Sequence, residues 1–191
     1  MAPEIRPSSW NPRPTTGSHR SLTQWARVVA GLAHSAVTVE EALEWTLSLV
    51  CEHTGWPLGH VFLRDDDTGS MISSQIWSDS DPVRHRPFVE ASRDLIIRQG
   101  QSLPGLILDL GDAVWVTDVT AEGDLLRGGA AEKSGLVAAT GYPIIGSRRI
   151  EGVMEFFLHE AAPPEPELAD VMFLIGAHLG GVVERSRGES A

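Results

Sequence analysis

Two polar side chains set inside apolar strands are the residues here best placed to do chemistry. One is His60, in Gly59-His60-Val61-Phe62-Leu63-Arg64, and the other is Glu155, in Gly152-Val153-Met154-Glu155-Phe156-Phe157-Leu158. An imidazole and a carboxylate can fix a ligand by hydrogen bonds or exchange a proton with it. Alternation along a strand puts His60, Phe62 and Arg64 on one face, and Val153, Glu155 and Phe157 on one face of the later strand. Ligand pockets are mostly apolar with a few placed polar groups. His60, Tyr142 and Glu155 would be those groups, with Phe62, Trp77, Phe88, Trp115 and Phe157 as candidate walls. The plainer alternative is an exposed Glu155 and a Tyr142 that belongs to the core.

Other chemical patterns are weaker. Arg127-Gly128-Gly129-Ala130-Ala131-Glu132-Lys133-Ser134 ends in the Lys-Ser pair of a phosphate loop. Arg127 and Glu132 occupy the positions that need glycine, so the backbone cannot cradle an anion. Capping of a surface helix is the expected role. Asp65-Asp66-Asp67-Thr68-Gly69 lacks the spacing and the closing glutamate of an EF-hand and reads as an acidic turn. The seven histidines (19, 34, 53, 60, 85, 159 and 178) never pair at helical metal-ligand spacing, though a haem or metal at His60 or His85 stays open. No G-x-S-x-G elbow or H-E-x-x-H occurs. Cys51, the single cysteine, excludes an internal disulfide and a multi-thiolate metal site, and reads as a buried inert thiol.

Composition narrows the classes further. The chain has 191 residues and a net charge of -11, from 26 acidic and 15 basic side chains. Phosphate backbones and anionic lipid are bound by positive charge, so neither nucleic acid nor membrane is an expected partner. No segment reads as a signal peptide or a membrane span, and a cytoplasmic location is expected. One domain is expected over residues 21–185, with a disordered N-terminal tail over 1–20 and a C-terminal tail over 186–191.

The elements that must position these residues follow from periodicity. Residues 22–36 read as a helix, and a second starts at Thr38 with Glu41 as a capping box and Gly55 as its stop. Residues 59–64 and 71–77 read as strands, 79–86 as loop, and 88–99 as a helix. A tight turn opens at Ser102, a short strand covers 113–116, and a short helix covers 124–134. Two apolar runs around Ser147-Arg148-Arg149 read as a β-hairpin. In the last helix, expected over 167–185, Leu168, Met172, Ile175, Leu179 and Val182 form a heptad-like seam for the sheet or a partner helix.

Several strings, in order, resemble a known family. They are Gly55-Trp56-Pro57-Leu58-Gly59-His60-Val61-Phe62-Leu63; Ile76-Trp77; Gly100-Gln101-Ser102-Leu103-Pro104-Gly105; and Val114-Trp115-Val116-Thr117-Asp118-Val119. Further on come Ala130-Ala131-Glu132-Lys133-Ser134-Gly135-Leu136, Gly141-Tyr142-Pro143-Ile144, Gly152-Val153-Met154-Glu155-Phe156-Phe157, and Ile175-Gly176-Ala177-His178-Leu179-Gly180 with Val182-Val183-Glu184-Arg185. Over residues 22–185 the chain resembles a GAF domain of bacterial sensor histidine kinases and diguanylate cyclases. The resemblance implies an α+β fold: a central antiparallel sheet of about five or six strands, terminal helices on one face, and a ligand-cavity segment of loops and helices on the other. It also implies a non-catalytic module of signal transduction that senses a small molecule and signals through dimerising terminal helices. A homodimer and a sensor kinase or other signalling partner would follow. The alternative is an interaction or dimerisation module with a filled pocket. The family offers no definite cofactor: no cysteine follows Cys51 to attach a bilin, one cysteine cannot serve a methionine-sulfoxide reductase of this fold, and the Asn-Lys-Phe-Asp-Glu signature of cyclic-nucleotide relatives is missing. Relatives usually continue into a kinase or cyclase. None follows within this chain, so a stand-alone sensor or a fragment is expected.

Overall fold

The computed structural model describes residues 5–7, 25, 27, 29, 31, 38–120, 126–161 and 166–189. The elements are β1 (Ile5–Pro7), α1 (Val39–Thr54), β2 (Leu58–Arg64), β3 (Met71–Asp79), α2 (Pro82–Ser92), β4 (Ile96–Ile97) and α3 (Ser102–Leu110). They continue as β5 (Val114–Val116), α4 (Gly128–Lys133), β6 (Ala138–Ile145), β7 (Ile150–Leu158) and α5 (Pro166–Glu189). Residues 25, 27, 29 and 31 are helical, and the rest of the helix expected over 22–36 lies outside the described residues. The strands form one antiparallel sheet in the order β1-β5-β6-β7-β2-β3-β4. The fold is α+β with an antiparallel sheet, as the resemblance implies, and among the described residues that sheet has seven strands.

Both faces of the sheet are covered, so its central strands are apolar almost throughout rather than alternating. On one face Val61, Tyr142, Met154 and Phe156 meet Leu43, Leu47 and Val50 of α1 and Met172, Ile175 and Leu179 of α5. On the other, Phe62, Val153 and Phe157 meet Phe88 of α2, and Leu103 and Ile107 of α3.

Local signals explain where elements begin and end. The Thr38 hydroxyl accepts from the Glu41 amide, and the Glu41 carboxylate accepts in return from the Thr38 amide. Gly55 closes α1 at φ +73°, a conformation without penalty only for glycine. The segment expected to be loop over 79–86 is helical from Pro82 onward. Asp81 caps it through the Arg84 amide, and Pro82 occupies the first turn, where its missing N–H costs nothing. That helix stops at Ser92 rather than at residue 99, because Ile96–Ile97 pairs with Met71 and Ile72 on β3. Residues 102–110 form a helix that periodicity did not reveal. Within the expected N-terminal tail, Ile5–Pro7 pairs with β5; such pairing uses backbone groups, which any sequence carries.

The last helix is longer than expected, and it is apolar enough over 23 residues to cross a membrane by length and composition. Its packing makes it a core helix. Leu168, Met172, Ile175, Leu179 and Val183 are buried, with Val182 beside them, so the seam is covered by this chain's own core. Contact with the sheet is backbone to backbone. A Cβ on Gly176 would overlap the Pro143 carbonyl oxygen, and one on Gly180 the Ile145 carbonyl oxygen. The end of the helix is tied by ions: Arg187 binds Glu151, Asp66 and the Arg64 carbonyl, and Glu184 accepts from the Ser147 amide at 2.7 Å.

Gly180→Ala is expected to destabilise the domain by about 1–3 kcal/mol, the scale of overpacking. Gly181→Ala, where an added methyl meets only the flexible Arg185 end at 3.5 Å, should be neutral or stabilising. Denaturant unfolding of the two variants checks the contrast.

Candidate functional site

On the face away from α1 and α5, the strands deliver a carboxylate to a place that the solvent surface does not reach. His60 on β2 and Glu155 on β7 are direct register partners. Both are fully buried, at 0% exposure, and so is Arg127 at 1%. Arg127 immediately precedes α4 and reaches under the sheet. Its Nη1 and Nη2 donate to Glu155 Oε1 and Oε2 at 2.7 and 2.8 Å, a two-pronged pairing that matches guanidinium to carboxylate. Nη1 also donates to Ser92 Oγ at 3.1 Å. Three rings surround the guanidinium, with centroids 4.7 Å (Phe88), 5.4 Å (Phe157) and 5.5 Å (Phe62) from its carbon. Cation–π attraction strengthens when the cation is desolvated in this way.

His60 extends the network to the surface. Glu155 is an acceptor, so His60 Nδ1 carries the proton and donates at 3.0 Å. His60 Nε2 then accepts from Ser73 Oγ at 2.8 Å, and Ser73 Oγ accepts from Gln75 Nε2 at 2.9 Å. A bulge makes this possible. The β2–β3 register passes from His60↔Trp77 to Phe62↔Ser73, and Gln75 takes φ +63° in the extra segment. The imidazole stacks on Trp77, centroids 3.8 Å apart, with Phe62 edge-on at 4.6 Å.

Electrostatics follow from this packing. Burial alone would push the Glu155 carboxyl up. The Arg127 charge and its hydrogen bonds, helped by His60, outweigh burial and hold it down at about 2. Burial is the main cause that lowers His60, with the Arg127 charge adding to it against the Glu155 bond. The site is therefore an ionised Arg127–Glu155 pair beside a neutral imidazole.

The sequence candidates divide by face. His60, Phe62, Trp77, Phe88, Glu155 and Phe157 come together. Tyr142 and Trp115 do not join them. Tyr142 pairs with Met154, which puts it on the helix-covered face near Phe156. Trp115 packs beside Ala138, Leu158 and Trp56, also away from His60. Glu155 is not exposed, and Arg127 is not a surface residue. Arg127 is the functional residue that sequence reasoning missed. The one available signal was the need of a strand-interior glutamate for a buried cation. Both ring nitrogens of His60 are occupied by protein partners, which closes the metal alternative there. Among the described residues no three His, Cys, Asp or Glu side chains converge on a metal position.

Elsewhere, an open cleft of about 400 Å³ lies between the end of α1 and β3, lined by Ser48, Cys51, Trp56, Ser78 and Asp79 among others. Burial pushes the Cys51 thiol up to about 11, with Asp79 adding to it against a Ser78 hydrogen bond.

With this geometry in view, comparisons identify the class. A family model described as the GAF domain matches residues 36–184, and the chain belongs to that family. Solved structures share the fold at low identity. The GAF domain of a phosphoenolpyruvate-protein phosphotransferase from Coxiella burnetii is similar at a TM-score of 0.75 and 16% identity, covering 91% of this chain and 99% of that one. A domain of a putative two-component sensor histidine kinase from Sinorhizobium meliloti 1021 is similar at 0.61 and 17%, covering 81% and 97%. The free methionine-R-sulfoxide reductase from Neisseria meningitidis, solved with its substrate, is similar at 0.69 and 17%, covering 92% and 96%. No curated protein matches the chain. The fold is thus that of sensory and regulatory domains of signalling proteins, and it also accommodates an enzyme.

Two outcomes are expected. The unfolded chain protonates His60 near 6.5 and Glu155 near 4.5, while the folded protein holds both lower. The unfolded state then binds more protons, so stability rises with pH. It should be complete above about 6.5, fall as acid protonates the unfolded imidazole, and fall further from about 4.5 toward 2; Glu155→Gln should remove the lower step from denaturation midpoints. Cys51 should be alkylated slowly by iodoacetamide at neutral pH and faster as pH approaches about 11, read by intact mass.

Proposed function

We propose that this protein is a non-catalytic sensory module that binds a small anionic molecule beside Arg127 and passes the event to α5. The buried Arg127–Glu155 pair carries the reading. Such a pair is seldom more stabilising than well-packed apolar side chains, so its use lies in specificity or switching. Arg127 can exchange Glu155 for the carboxylate or phosphate of a ligand, and two such arrangements with different affinity are what a signal requires. Its Nε is buried with no hydrogen-bond partner among the described residues, which leaves a donor for such a ligand. Glu155 lies on β7, and α5 rests on the neighbouring β6 and is tied to both hairpin turns, so a change at Arg127 has a short route to the C-terminal helix. Trp45 on α1 and Leu174 on α5 are exposed at 40% and 61% and offer the terminal helices to a second copy. A sensor kinase or another signalling protein would receive the output. Cys51 lines the open cleft and takes no part in the His60 network, and its raised thiol supports a role without catalysis.

One observation favours a second reading. Arg127 itself fills the space among Phe62, Phe88 and Phe157, as in an interaction module with a filled pocket.

A thermal-shift screen with nucleotides and with carboxylated and phosphorylated metabolites separates the two. The sensory reading expects a shift of several degrees that Arg127→Met abolishes. If every compound leaves the melting point unchanged while sedimentation shows a dimer that Trp45→Arg or Leu174→Asp dissociates, the interaction module stands instead.

A further inference from the structure

A second histidine cluster lies apart from the Arg127 site. β3 ends at Asp79, α2 carries His85 back toward it, and β7 delivers His159 to the same corner. His85 is fully buried, and His159 is half-buried. His85 Nδ1 is 2.5 Å from Asp79 Oδ1, which also accepts the Asp81 amide at 2.9 Å. A carboxylate oxygen accepts, so His85 Nδ1 donates to Asp79. His159 Nδ1 is 2.9 Å from the Gly135 carbonyl oxygen, which can only accept. His159 Nδ1 is therefore protonated too. The remaining ring atoms, the two Nε2, face each other at 3.3 Å.

In neutral rings each of those Nε2 atoms presents a lone pair. Two lone pairs at that distance repel unless a proton or a metal ion lies between them. Nitrogens held tetrahedrally at about 2.0–2.1 Å from a zinc ion stand about 3.4 Å apart. Histidines that ligate metals hand their other N–H to a carboxylate or a backbone carbonyl, which fixes ring orientation. Here Asp79 supplies one and Gly135 the other. The Arg84 guanidinium lies beside Gly135, and its Nε donates to the Ser134 carbonyl at 3.1 Å.

We propose that His85 and His159 bind one divalent transition-metal ion of the zinc class. Water fills the other coordination positions, since no third ligating side chain converges among the described residues. Solvent reaches the ion from the His159 side. A bound ion would join α2 to the end of β7, through side chains other than the Phe88 and Ser92 that α2 sets against Arg127.

The test uses the full chain carrying Cys51→Ser, stripped with chelator and titrated with Zn²⁺ by calorimetry at neutral pH. About one ion per chain is expected. His159→Gln should abolish binding, and Asp79→Asn, which keeps an acceptor for the Asp81 amide, should weaken it about 10–100-fold. Co²⁺ should give the visible absorption of a tetrahedral site in the parent and not in His159→Gln. His159 is half-buried, and melting curves establish that its variant is folded. Absence of Zn²⁺ binding by the parent, as for a pair that merely shares a proton, overturns the proposal. So does binding that His159→Gln and Asp79→Asn leave unchanged.

Discussion

A fully buried carboxylate is the constraint around which this domain is organised. Glu155 stands buried in the centre of the sheet, and an isolated ion there would cost several kcal/mol or simply take up a proton. Arg127 removes that cost by matching both oxygens at once. Much of the surrounding structure serves to keep the match. The residues around α4 must be placed so that a long side chain reaches under the sheet. α2 must set Ser92 and Phe88 against the guanidinium. The β2–β7 register must put an imidazole, rather than an apolar group, beside the carboxylate. The bulge in β3, with Gln75 in a left-handed conformation, is explained by the same demand, because it turns Ser73 toward the far nitrogen of His60.

Much of this was legible in the sequence, and the failures have physical causes. Helix α1 was readable at both ends, since a capping box and a terminal glycine act over a few residues and need no tertiary partner. The hairpin of β6 and β7 was readable for the same reason. Its register, however, decides which residues share a face, and Tyr142 falls opposite Met154 rather than Glu155. Assigning Tyr142 to the site ignored that arithmetic. Trp115 sits on a three-residue strand, too short for alternation to mean much. α2 begins earlier than the helix expected over 88–99, with Asp81 as its cap and Pro82 in its first turn. Arg127 was beyond reach. It is about thirty residues from its partner, and no local pattern distinguishes an arginine bound for the interior from one bound for water.

The two sides of the sheet divide the labour of the fold. The face under α1 and α5 is a dry aliphatic and aromatic core with few polar groups. The opposite face combines apolar packing with the charged network. The first face is a purely packed core, and the second holds the buried ion pair. That division also explains why a long apolar helix need not imply a membrane: the buried side of α5 is one wall of the first core, and its last turns are anchored by Glu184 and Arg187.

Glycines 176 and 180 remove the layer of side chains that normally cushions a helix against a sheet. Cushioned helices absorb small shifts by repacking, because side chains can change rotamer while backbones stay apart. Here carbonyl oxygens of β6 abut the helix backbone directly, and rigid surfaces in contact transmit rather than dissipate displacement. Any warping of the strand at Pro143 or Ile145 must therefore appear as movement of the whole helical rod, an axial or rolling stroke delivered at the C-terminal end of the domain.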